Sequence, residues 1–174
     1  MDLLTELLKI TLPAALVLYA MYLTLRSFLN KNLLDRQVDL RAESARTLLP
    51  LRLQAYERMV LFLERISPNN LLLRLSPAAS SALELQQLLL NDIRDEFNHN
   101  LAQQVYLSNE AWDRIRLAQN EVIGVINSAA QDLPTDAPPI ELSRRIFDRW
   151  IALSPTPTDE ALRFLKDEVR REFM

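Results

Sequence analysis

A chain of 174 residues with 49% hydrophobic and 25% charged side chains has room for one modest domain and one appendage, and its mix is globular rather than disordered. The absence of cysteine excludes disulfides, thiolate metal sites and a cysteine nucleophile. A net charge of −3 with no basic run argues against nucleic-acid binding, and a single glycine, Gly124, argues against hairpins and phosphate-cradling loops, leaving a helix-biased chain.

The first element is "ITLPAALVLYAMYLTL", Ile10 to Leu25, which carries no charge. Alone it spans about 24 Å of helix; Leu7, Leu8, Phe28 and Leu29 extend it towards the ~30 Å hydrocarbon core. Residues 1–29 are therefore expected to be a transmembrane anchor, with Ile10, Pro13, Tyr19 and Leu25 in the span. Asp2 and Glu6 stand where a cleaved signal peptide has basic residues, and no small-x-small site follows the apolar run. Arg26 and Lys31 flank the far end, followed by Arg36, Arg41 and Arg46. The positive-inside rule puts that side in the cytoplasm, so the expected location is a bacterial inner membrane, single-pass, with the N-terminus outside. Residues 26–74 hold nine basic and five acidic side chains, a net +4, whereas residues 75–174 hold ten and sixteen, a net −6. Asp35, Asp39 and Glu43 alternate with the juxtamembrane bases, so lipid attraction there is weak.

Residues 30–49 read as a polar helical stalk with Leu33 and Leu40 on one row, too few positions for a coiled coil. Pro50 is expected to interrupt it and start a bundle over 50–174. The first bundle helix, Pro50 to Pro68, places Leu53, Tyr56, Val60 and Leu63 on one face. "SPNN", Ser67 to Asn70, is a stop signal, and "LLLRLSP" an apolar connector. A long helix from about Ser76–Ser80 to Tyr106 carries Leu85, Leu89, Ile93, Phe97, Leu101 and Val105 in steps of four, a slanted ridge. The next helix is capped by Ser108, buries Trp112, Ile115, Ala118, Val122, Ile126 and Ala129, and holds Gly124 where it permits close helix approach or is merely tolerated. "LPTDAPP" is a loop, Ile146, Trp150 and Leu153 turn inward from a short helix, and Thr158 caps the last one. The expected fold is all-α: an N-terminal transmembrane helix followed by a cytoplasmic helical bundle of four to six helices.

"RDEFNHN", Arg94 to Asn100, gathers Asp95, Glu96 and the only histidine, His99, with Asp92 just before. At 100° per residue all four lie within about a third of the helix circumference, beside the apolar row. A di-metal carboxylate bundle needs two Glu-x-x-His pairs; Glu96–His99 is a single one, and Glu57, Glu64, Glu110 and Asp113 join it only if the helices meet there. No catalytic triad, dinucleotide fingerprint or Walker motif is present. No cofactor is expected, and the Asp92, Asp95, Glu96 and His99 face reads as solvated surface or partner-docking surface, with Asn69 and Asn70 of the turn as further docking candidates.

The segments "VLYAMYLTLRSFLNK", "LPLRLQAYERMVLFLERISPNNLLLRL" and "RDEFNHNLAQQVYLS" resemble a group of uncharacterised single-span membrane proteins of Bacteroidota. The resemblance covers most of the chain, least distinctly the C-terminal third. It implies an integral membrane location and a small helical cytoplasmic part, and carries no functional residue with it. The expected function is a non-enzymatic, membrane-tethered helical module that docks a cytoplasmic protein or a copy of itself. One alternative is a subunit packed in a larger membrane complex through its transmembrane helix, where Ala14, Ala15 and Ala20 favour close approach. Another is a metal-dependent enzyme using the Glu96/His99 face.

Overall fold

Every element of the chain is helical in a computed structural model that describes the backbone of residues 2–173 and the side chains of residues 12, 15–28, 43 and 46–173. Among the described residues there are six α-helices: α1 (Asp2–Ile66), α2 (Pro68–Leu75), α3 (Ala82–Asn100), α4 (Asn109–Ala130), α5 (Pro139–Ile151) and α6 (Pro157–Phe173). Two 3-10 turns, Ser76–Ala78 and Leu101–Tyr106, complete them. The all-α expectation holds. The chain divides into two compact units, Met1–Leu49 and Pro50–Met174.

The described residues of the first unit all belong to α1. Its described apolar side chains face outward: Leu16, Val17, Leu18, Tyr19, Met21, Tyr22, Leu25 and Phe28 are all exposed. The expected transmembrane span is not supported here, because among the described residues no helix is long and apolar enough to cross a membrane. Ile10, Pro13, Lys31, Leu33 and Leu40 fall outside the described side chains, whereas Arg26 is exposed. Pro50 does not end the helix. It lacks the N–H that would bond the carbonyl four residues back, yet α1 continues through it to Ile66.

In the second unit, α1 buries Ala55, Tyr56, Met59, Phe62, Leu63 and Ile66. Of the expected face, Tyr56 and Leu63 are buried, whereas Leu53 is exposed and Val60 only half-buried. The "LLLRLSP" connector is itself helical, forming α2 and the first 3-10 turn. Ser81 caps α3, its hydroxyl accepting from the Glu84 N–H at 3.2 Å, while the Glu84 carboxylate accepts from the Ser80 N–H at 2.7 Å. Leu85, Leu89 and Ile93 are buried as their four-residue spacing requires. The ridge then fails: α3 stops at Asn100, and in the 3-10 turn Leu101 is half-open and Val105 is 77% exposed. Three residues per turn rotate each successive side chain by about 120°, so a four-residue step no longer stays on one face.

Helix α4 is the hub, packing on α3, α5 and α6. Ser108 caps it, accepting from the Ala111 N–H at 3.0 Å, and Ile115, Ala118, Val122, Ile126 and Ala129 are buried. Gly124 is exposed and a Cβ there would meet nothing within 4 Å, so it is tolerated on the solvent side rather than required for close approach. An aromatic run crosses the core, Phe62 to Phe97 at 5.7 Å and Phe97 stacked on Trp112 at 5.3 Å. The cap of α6 is Thr156, whose hydroxyl accepts from the Asp159 N–H at 3.2 Å; Thr158 is buried inside the first turn.

Candidate docking groove

Two short amphipathic helices leave a groove between them. α2 carries Leu71, Leu72, Leu73 and Leu75 in a run. Four leucines in five positions reach round most of a helix, so burying Leu71 and Leu72 turns Leu73 outward, 80% exposed. α5 buries Leu142, Ser143 and Ile146 and turns Ile140 outward, 70% exposed. Between them lies a groove of about 800 Å³. Its α2 wall is Asn69, Asn70, Leu72 and Leu73, continued by Ser76 and Pro77. Its α5 wall is Pro139, Ile140, Ser143 and Phe147.

No charged side chain lines this groove. Its polar groups are partly satisfied internally: the Ser76 and Ser143 hydroxyls lie 3.2 Å apart, and Ser143 also donates to the Pro139 carbonyl at 3.1 Å. A mainly apolar trough with a few fixed polar groups suits an apolar side chain better than an ion.

Asn69 and Asn70 stand on the rim, but their roles differ. Asn70 donates from Nδ2 to the Glu64 carbonyl at 2.8 Å, and Ser67 donates to the same oxygen at 2.8 Å. Both side chains therefore cap the C-terminal end of α1, which explains why "SPNN" stops the helix. Asn69 is exposed and makes no hydrogen bond among the described residues.

The acidic face of α3 comes apart into two pairs. Asp92 holds Arg74 of α2 through both carboxylate oxygens, at 2.9 and 2.8 Å. That partner holds the Arg74 guanidinium pKa above its ordinary value, against the opposing effect of burial. Glu96 pairs with Arg65 of α1 at 3.1 Å and accepts from the Asn100 amide at 3.4 Å. Asn100 is buried and also donates to the Glu96 carbonyl at 2.8 Å. Asp95 and His99 point to solvent. Glu96 and Asp92 thus fasten α3 to α1 and α2, and among the described residues no three histidine or carboxylate side chains converge as a metal site.

Sequence reasoning named the turn but missed Leu73, Pro77, Ile140 and Phe147. The signal was present in the leucine run and in Ile140 directly after two prolines, both placing more apolar surface than a short helix can bury.

Comparison with curated proteins gives no match, and comparison with solved structures gives none either. The match that covers residues 2–172, nearly the whole chain, shows that this protein belongs to the family of unknown function DUF7935.

Proposed function

We propose that the protein is a membrane-tethered, non-enzymatic helical module that docks a protein at the cytoplasmic face of the inner membrane. The observation that carries this reading is the outward apolar surface of α1. Leu16, Val17, Leu18 and Tyr19 are consecutive, so at 100° per residue they point to all sides, and each is at least 60% exposed. Side chains this apolar on every side favour lipid around the helix rather than a single packed face. Residues 1–29 supply the anchor in this reading, Arg26 and Lys31 mark the cytoplasmic side, and the bundle presents its uncharged groove to a partner.

Vesicle flotation of the full chain tests the tether. Wild type is expected to float with vesicles of phosphatidylethanolamine and phosphatidylglycerol, and a Leu18→Arg, Met21→Arg variant to stay at the bottom as a folded, monodisperse protein. A wild-type chain that remains folded and soluble below the vesicles overturns the reading.

A further inference from the structure

A second groove, about 310 Å³ in volume, runs between the bundle part of α1 and the C-terminal half of α6. The two helices are antiparallel there: Arg52 pairs with Glu172, Tyr56 lies beside Glu168, and Val60 shares the groove with Leu165. The banks of this groove differ in kind. α1 presents Leu53, Glu57 and Leu61 at steps of four, so one acid stands between two leucines, which are 39% and 53% exposed. α6 presents Lys166, Val169 and Arg170 within about one turn, so one half-buried valine stands between two exposed bases. The antiparallel contacts set Glu57 level with the middle of the Lys166–Arg170 span. Acid and bases nevertheless do not meet across the groove. Among the described residues Glu57 and Lys166 have no ion pair, and Arg170 has only Asp167 of its own helix, at 3.7 Å.

We propose that this face binds a second copy of the chain, with α1 of each copy laid against α6 of the other about a two-fold axis parallel to α1. Charge selects the occupant. That axis exchanges the acidic bank with the basic one, so each copy supplies what the other lacks. Glu57 then meets the second copy's Lys166 and Arg170, and the reverse contact forms at the same time. An axis perpendicular to α1 would instead set Glu57 against Glu57. The same pairing brings Leu53 and Leu61, which the bundle leaves open, against the second copy's Val169.

The inference rests on the docking reading for the role of this face, but not on the tether: flotation reports the tether, whereas oligomeric mass reports the pairing. The full chain is purified in mild detergent and its mass followed by light scattering against concentration. Wild type is expected to dimerise. Glu57→Lys makes both banks basic, and Lys166→Glu with Arg170→Glu makes both acidic. Each variant is expected to lose dimer affinity by roughly ten-fold or more, because like charges then face each other at both contacts. All three positions are exposed, so the variants are expected to keep the helical circular dichroism of wild type. Mixing the two variants is expected to restore a dimer holding one chain of each kind, since a wholly basic face then meets a wholly acidic one.

A wild type that is monomeric at every concentration overturns the dimer, as does a dimer that Glu57→Lys leaves intact. A mixture of the two variants that stays monomeric overturns the pairing of α1 with α6. A different polypeptide that co-purifies with wild type in place of a second copy, and is lost with Glu57→Lys, also overturns it, in favour of a foreign partner on this face.

Discussion

Arg74 and Asp92 meet as two parallel contacts, Nη1 to Oδ1 at 2.9 Å and Nη2 to Oδ2 at 2.8 Å, and so tie α2 to α3 across eighteen residues of sequence. The pair is partly open to water, with side chains 36% and 23% exposed, which limits its worth. Its bidentate geometry raises it above an ordinary surface pair. Asp92→Ala is expected to cost about 1 kcal/mol, whereas Asp95→Ala, one turn away and facing solvent, is expected to cost under ~0.5 kcal/mol. Urea unfolding of both variants checks this. Equal effects would mean that the α3 face acts as a whole rather than through its two ion pairs.

How much of this was legible beforehand follows from range. Turn residues and the buried face of α4 depend on neighbours three or four positions away, and Ser108 and the "SPNN" stop behave as local chemistry dictates, whereas the start of α3 falls at Ser81 rather than at Ser76–Ser80. The fate of Asp92 and Glu96 depends on Arg74 and Arg65, which arrive from other helices, and spacing along one helix cannot show that. Leu101 and Val105 were misplaced because nothing in "LAQQVY" announces the change from 3.6 to three residues per turn. The groove was invisible for a similar reason: it exists only where α2 passes α5, and its walls lie about seventy residues apart.

Gly124 offers a test of the solvent side of α4. A Cβ at this position would meet nothing within 4 Å, and the backbone is ordinary helix. Gly124→Ala removes chain entropy from the unfolded state and is expected to stabilise the protein by roughly 0.5–1 kcal/mol. A rise in thermal midpoint checks it; a fall would mean that another molecule approaches α4 closely there.

Phe62 is fully buried and touches Phe97, which stacks on Trp112. Truncating it removes a core side chain at the meeting of α1, α3 and α4. Phe62→Ala is expected to cost roughly 3–5 kcal/mol, the range for deeply buried aromatic residues. Because Phe97 loses its support, Trp112 emission is expected to shift to longer wavelength even before unfolding begins. An unshifted spectrum in a folded variant would mean that the Phe97–Trp112 stack holds without Phe62.

The last expectation concerns alkaline pH. Tyr56 on α1 is buried beside Glu168 of α6, itself only 3% exposed, and neither Tyr56 Oη nor Glu168 Oε2 has a well-formed hydrogen bond. Phe173 packs edge-on against the Tyr56 ring at 6.0 Å, and Arg52 pairs with Glu172 nearby at 2.7 Å. Burial pushes the Tyr56 hydroxyl up from 10.0 to about 12, reinforced by the Glu168 and Glu172 carboxylates and opposed by Arg52. The folded protein therefore holds this proton more tightly than the unfolded chain does. Stability from that proton is fully present below pH 10 and is lost as pH rises through about 12. Urea midpoints from pH 9 to 12 are expected to fall more steeply in wild type than in Tyr56→Phe, which has no proton to lose. Identical slopes would show that Tyr56 titrates alike in both states, and that α6 does not shield its hydroxyl from water.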